Sequence, residues 1–199
     1  MVWDARYSGP GYLFGTEPAA FMAREGGRIA PDSRVLSLAD GEGRNAVWLA
    51  RQGHRVVAFD ASAVAVEKAR RLAGEAGVEV DFHIAGIEGW GWEAGAFDAV
   101  VGVFLQFAGP ALRAEIHAGI ARTLRPGGLL LLHGYGPRQI GYGTGGPGVV
   151  ENLYTPEGLA ADFPGWEVLR AADYDAELAE GTQHVGRSAL VDFIAVKPG

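Results

Sequence analysis

From Arg34 onward the chain alternates short β-branched or leucine-rich runs with stretches of helical periodicity, a rhythm that few folds accommodate. It is the mark of βαβ units laid into a mostly parallel sheet. Strands are expected at 35–38, 55–59, 80–84, 98–104 and 129–135. Helices are expected over 44–52, stopped by Gly53; over about 63–75, capped by Ser62 and ended near Gly77; and over 110–124, closed by Pro126, Gly127 and Gly128. The alternation then stops. Residues 136–154 make a Gly/Pro-rich connection of the kind that serves as a lid, and a short helix at about 156–162, capped by Thr155, should follow. Two extended runs, from Trp166 and from Ser188, close the chain. Only EGTQHVGR lies between them, which leaves no room for a parallel crossover, so an antiparallel hairpin is expected.

The chain has 199 residues, room for one α/β domain over 1–199. A net charge of −7 carries no electrostatic footprint for nucleic acid, which is therefore not expected as a partner. Cysteine is absent, which excludes a disulfide framework and a thiolate nucleophile or metal ligand. His54, His83, His117, His133 and His184 lack metal-site spacing, so no catalytic metal is expected. No G-x-S-x-G elbow appears, which sets acyl transfer aside. The N-terminus shows no continuous apolar stretch of signal or membrane length; no membrane partner and a cytoplasmic location are the expectations. A homodimer stays open.

The loop LADGEGRN sets Gly41 and Gly43 between a buried strand and a helix N-terminus. Glycine permits positive φ and lets a ligand lie against the main chain. Asp60 ends the next strand near the usual offset of about 20 residues, where a carboxylate accepts hydrogen bonds from ribose hydroxyls. Two ligands suit this arrangement. A dinucleotide would rest its pyrophosphate on the helix N-terminus, as in nicotinamide-dependent oxidoreductases. Glu42, with Asp40 beside it, would repel that group but would suit an ammonium and a sulfonium, as S-adenosylmethionine carries. The closing hairpin favours the same ligand.

VLSLADGEGRNAVWLARQGHRVVAFDAS resembles the cofactor motif of the methyltransferase group that includes the tellurite-resistance and thiopurine methyltransferases. The N-terminal WDARYSGPGYLFGTEP, LRPGGLLLL, PRQIGYGTGGP and the closing EGTQHVGRSALVDFIAVK carry the resemblance further. It implies a class I, Rossmann-like α/β fold: seven mostly parallel strands in the order 3214576 with helices on both faces. It also implies S-adenosylmethionine as cofactor, S-adenosylhomocysteine as product, and a small soft nucleophile, such as a tellurium or selenium oxyanion or a thiol, as acceptor. Ser37 and Ala39 replace the common acid and glycine of the first motif, so the methionine end falls to Asp40, Glu42 or N-terminal residues. Gly86 replaces the acid that meets adenine in many relatives, leaving backbone near Ile87, or Glu88. A non-catalytic S-adenosylmethionine binder is the alternative those departures raise.

The expected cofactor contacts are Ala39, Asp40, Gly41, Gly43 and Asn45 in the first loop; Asp60, Ala61 and Ser62 after the second strand; Gly86 and Ile87 after the third; and Gly102 and Phe104 at the fourth. Residues 1–33 should cover the cofactor, with Trp3, Arg6, Tyr12 and Gly15 as contacts; the aromatics Trp3, Tyr7, Tyr12 and Phe14 would close over the sulfonium, and Arg6 would hold the carboxylate. Methyl transfer is an in-line displacement that needs alignment and dryness more than a fixed base. For the acceptor, Arg138, Tyr142, His184 and Arg187 are the expected contacts, with His184, Arg138 and Gln106 in catalytic roles.

Overall fold

The computed structural model describes residues 2–199. They gather into two compact units: one runs up to Gly91 and includes Glu180–Gln183, and the other holds Trp92–Ala179 and His184–Gly199. The first unit contains α1 (Val2–Tyr7), α2 (Ala20–Glu25), β1 (Arg34–Leu38), α3 (Arg44–Arg51), β2 (Arg55–Asp60), α4 (Ala63–Ala76) and β3 (Asp81–Ile84). The rest of the chain supplies β4 (Phe97–Val103), α5 (Pro110–Thr123), β5 (Leu124–Tyr135), α6 (Pro156–Asp162), β6 (Glu167–Glu180) and β7 (His184–Val196). The seven strands form one sheet in the order β3-β2-β1-β4-β5-β7-β6, as the resemblance implied.

In the first unit β1, β2 and β3 pair in parallel, with Leu38 opposite Phe59 and Asp60 opposite Ile84. β1 and β2 are buried along nearly their whole length, which fits their continuous Val/Leu/Ala/Phe runs rather than a polar alternation. Each fully buried Val, Leu or Phe of this kind contributes about 1.5–3 kcal/mol. The caps follow the sequence: Ser62 Oγ accepts the Ala65 amide at 3.2 Å, and Gly77, at φ +67°, ends α4.

In the second unit β4 pairs in parallel with β5, and β5 antiparallel with β7. β6, the outermost strand, alternates exposed and half-buried residues over most of its length, as an edge strand with one covered face does. Thr155 caps α6 through the Gly158 amide at 3.0 Å, as expected.

Three elements depart from expectation. Strand five starts at Leu124 rather than Leu129, because Leu124 pairs with Phe97 and the backbone of Gly127 and Gly128 exchanges hydrogen bonds of 2.9 Å with Lys197. That leaves α5 one residue shorter than expected. Residues 136–154 carry 3-10 turns at Pro137–Gly141 and Val150–Asn152. The N-terminal segment, expected only as a cover, contains the six-residue helices α1 and α2. No helix among the described residues is long and apolar enough to cross a membrane.

Candidate functional site

The first loop of the first unit is built around two carboxylates. Asp60 is buried at the end of β2, where its oxygens accept the amides of Gly41 at 2.9 Å and Ser62 at 2.8 Å. Each oxygen keeps a second acceptor position, the chemistry a pair of ribose hydroxyls needs. Asp40 accepts the Ser37 hydroxyl at 2.6 Å through Oδ1, while its Oδ2 is buried without a hydrogen-bond partner. Burial pushes the Asp40 carboxyl up to about 7; the Ser37 hydrogen bond pulls it down, nearby Asp60 pushes it further up, and the Ala46 amide and the Arg44 charge pull it down again. Burial raises Asp60 as well, against the pull of its two amides. An ammonium would suit Asp40, because it would supply a donor to the buried Oδ2 and a countercharge closer than Arg44. The acid absent at Ser37 thus reappears three residues on, tied back to the serine that replaced it.

Two backbone conformations shape the loop. Gly41, at φ +62°, lies under the Tyr7 hydroxyl, which a Cβ there would meet at 3.0 Å. Gly43, at φ +92°, faces α4: an added Cβ would stand 2.7 Å from Ala69 Cβ and 2.9 Å from its Cα. Gly43 therefore lacks a side chain for the sake of helix packing, whatever its backbone meets on the other side. Ala39 takes φ +44°, a left-handed conformation that favours glycine. Gly86 and Ile87 begin the turn after β3, closed by the Gly89 amide on Gly86 O at 3.2 Å, and a Cβ on Gly86 would enter open space.

Several residues expected at the ligand are committed to holding the N-terminal segment instead. Glu42, the acid expected to discriminate against pyrophosphate, is buried and bonded to Lys68 Nζ at 2.8 Å and the Leu13 amide at 2.6 Å. Its charge is neutralised, so that argument fails; the carboxylates that do bias the loop are Asp40 and Asp60. Asn45 Oδ1 accepts the Ala19 amide at 3.0 Å, which makes it a staple for the entry to α2. Tyr12 turns its hydroxyl to Lys68 O at 3.3 Å. Gly15, at φ +77°, packs against Gly181. Arg6 lies between the rings of Trp3 and Phe14, at 5.2 and 5.8 Å, and Trp3 stacks on Tyr7. Asp4 takes the Ser62 hydroxyl at 2.7 Å and so anchors α1 to the start of α4. Ala61 joins Asp60 to Ser62, whose side chain is fully buried. Sequence reasoning missed Tyr7 as a contact of Gly41, and also buried Arg44, which bonds Glu180 at 2.8 Å and Phe14 O at 3.0 Å. Both pairings cross long stretches of sequence and leave no local signal.

The second unit holds the residues expected at the acceptor. Phe104 ends β4 at φ +58°, a costly conformation for a bulky side chain and one that collects at functional sites. Its ring meets those of His184, Tyr135 and His133 at centroid distances of 4.1, 4.8 and 5.0 Å. His184 is buried. Behind it His133 bonds Asp192 at 2.7 Å, and fully buried Asp192 also binds Arg170 at 2.8 Å and Tyr174 at 3.0 Å. Gln106 does not fit a catalytic role: its amide bonds both the N–H and the C=O of Tyr135, at 2.8 and 2.6 Å, and so replaces a missing ladder partner. Gly102 lacks a side chain because Leu105 and Leu132 fill that space at 2.6 and 2.8 Å. Arg138 binds Asp173 at 2.5 Å and Asp175 at 3.0 Å, and Arg187 binds Asp175 at 2.7 Å and stacks over Tyr142, whose hydroxyl also reaches Asp175. These arginines face carboxylates of their own unit. Gln139 steadies the connection by bonding Thr144, Gly145 O and the Ala189 amide.

Residues 35–128, which include both carboxylates of the first loop, match the family described as a methyltransferase domain. That match spans just under half of the chain. S-adenosylmethionine is the cofactor of such a domain, and the donor set just described fits it. The chain is 38% identical over 107 residues to the ubiquinone biosynthesis O-methyltransferase of Xanthomonas axonopodis pv. citri, covering 53% of this chain and 44% of that protein. It spans less than half the length of the first curated relatives it matches. Among solved structures, one titled for the conversion of a disulfide bond into a thioacetal group during echinomycin biosynthesis shares the fold with a TM-score of 0.77 at 21% identity, covering 99% of this chain and 91% of that one. TehB from Haemophilus influenzae shares it with a TM-score of 0.70 at 16% identity, covering 88% and 61%. Those two likenesses show the methyltransferase fold alone.

Proposed function

We propose that this chain transfers the methyl group of S-adenosylmethionine to a small nucleophile with an apolar body, a thiol or a phenol before a tellurium or selenium oxyanion. The observation that carries the reading is the pair Asp40 and Asp60 in the first loop, one with a buried oxygen lacking a partner and the other with spare acceptor positions. Asp60 would hold the ribose hydroxyls, Asp40 the α-ammonium, and the backbone at Ile87 the adenine. When bound, the cofactor supplies an electrophilic methyl on a sulfonium. A pyrophosphate would meet two carboxylates there and find the Gly41 amide already taken.

For the acceptor, the resemblance of the cofactor motif to that of the tellurite-resistance and thiopurine methyltransferases supports a soft nucleophile. The pairing of Arg138 and Arg187 with Asp173 and Asp175 argues against a tellurium or selenium oxyanion, because their charge is already met. The rings of Phe104, Tyr135 and His184 favour an apolar acceptor body. We assign His184 to receive the proton of an acceptor that attacks with a hydroxyl; a thiolate needs no such step. The test is a methyl-transfer screen over thiols, phenols, tellurite and selenite. Methylation of an apolar thiol or phenol, with tellurite and selenite inert, is expected, and His184→Ala should slow the phenol by about 10²-fold or more while sparing the thiol. Transfer to tellurite or selenite alone would reverse the acceptor assignment, and an equal loss on thiol and phenol would remove the proton role of His184.

A further inference from the structure

We infer a second binding site in the first unit, for a small organic anion with an apolar body, in the cleft at the amino-terminal ends of β2 and β3. The register creates it. Asp81 stands opposite Val57, so Arg55 and Val56 extend past the start of β3 with no partner on that strand. The resulting cleft measures about 840 Å³, within the range of small-molecule sites. Val56, Val57 and Phe82, all buried, give it apolar surface.

Three arginines in its lining, Arg34, Arg55 and Arg70, outnumber its two acids, Glu79 and Asp81, against a whole-chain charge of −7. Arg55 and Arg70 each spend one Nη2 on a backbone carbonyl, Asp32 O at 3.3 Å and Phe82 O at 2.8 Å, and neither forms an ion pair among the described residues. Each keeps donors in reserve for a bidentate partner. Of the acids in the lining, Asp81 is drawn to His83 at 3.0 Å. The second observation is His54, which lines the same cleft at 9% exposure with its Nδ1 buried and without a hydrogen-bond partner. A carboxylate in the cleft would meet the guanidinium groups through charge-assisted hydrogen bonds, beside the imidazole of His54. The apolar surface selects an organic anion over an inorganic one. Arg55 and Asp60 lie at opposite ends of β2, on the order of 16 Å apart at strand rise. The inference therefore stands apart from the methyl-transfer reading.

Benzoate, its uncharged analogue benzamide, and sulfate are titrated into the isotope-labelled full chain at constant ionic strength. Benzoate should saturate, shift the amides of Arg55, Val56, Gly74 and Asp81 together with the His54 imidazole, and bind about tenfold more tightly than benzamide or sulfate. The double variant Arg55→Ala/Arg70→Ala should lose about tenfold or more of that affinity while keeping its thermal midpoint and its affinity for S-adenosylhomocysteine. Should the double variant fail to fold, Arg55→Gln carries the same comparison. Absence of saturation, equal binding of benzamide or sulfate, or shifts centred on Gly41 and Asp60 would each overturn the site.

Discussion

Asp40 holds a carboxyl in a place that disfavours its charge, and that cost has a measurable sign. The folded group titrates at about 7 against 3.8 for the ordinary carboxyl, so between those values the folded chain keeps a proton that the unfolded chain releases. Its stability contribution is complete below about pH 4 and is lost as pH rises through about 7, a total on the order of 4 kcal/mol. Asp40→Asn should therefore melt at a higher temperature than the parent chain at pH 8, with the gap closing toward pH 4, while binding S-adenosylhomocysteine less tightly. Parallel melting curves across that range would show that the carboxyl titrates normally. Asp60 acts differently, since its oxygens already organise the Gly41 and Ser62 amides. Asp60→Ala should weaken S-adenosylhomocysteine by about 1–3 kcal/mol by calorimetry, and an unchanged affinity would remove it from the sugar. The place of Asp60 at the end of β2, beside the loop, was legible because a strand end and an offset are local facts. Glu42 was misread because its partner, Lys68, lies on another element and nothing in the loop announces it.

At the scale of elements, the strands and long helices announce themselves through periodicity and caps, whereas α1 and α2, six residues each, do not. Helices that short gain their stability from tertiary contacts, here Asp4 on Ser62 and Ala20 N on Glu180. The order within residues 136–154 has no signal in the Gly/Pro-rich sequence for a related reason: Gln139 and Gln106 fix that connection and its neighbours through side-chain bonds to distant backbone. Two substitutions test this layer. Lys68→Met leaves Glu42 buried without its cation and should cost about 3–5 kcal/mol, read as a lower denaturation midpoint with faster amide exchange at Leu13. Gly43→Ala puts a methyl into Ala69 at a left-handed position and should destabilise by more than the ~1 kcal/mol of the backbone conformation alone. A neutral Gly43→Ala would mean that α4 does not press on the loop.

For the whole molecule, the alternation of strands and helices, the closing antiparallel pair and the burial of β1 and β2 all follow from the order of apolar runs, and the sheet order agrees with the resemblance. The acceptor side was less legible. Arg138, Tyr142 and Arg187 read as an anion site only while Asp173 and Asp175, more than thirty positions from Arg138, are out of view. Calorimetry on the intact chain with S-adenosylhomocysteine and, separately, with NAD and NADP addresses the central claim most directly. A single saturable S-adenosylhomocysteine site with no heat from either dinucleotide is the predicted result; dinucleotide binding, or silence toward S-adenosylhomocysteine, would contradict it.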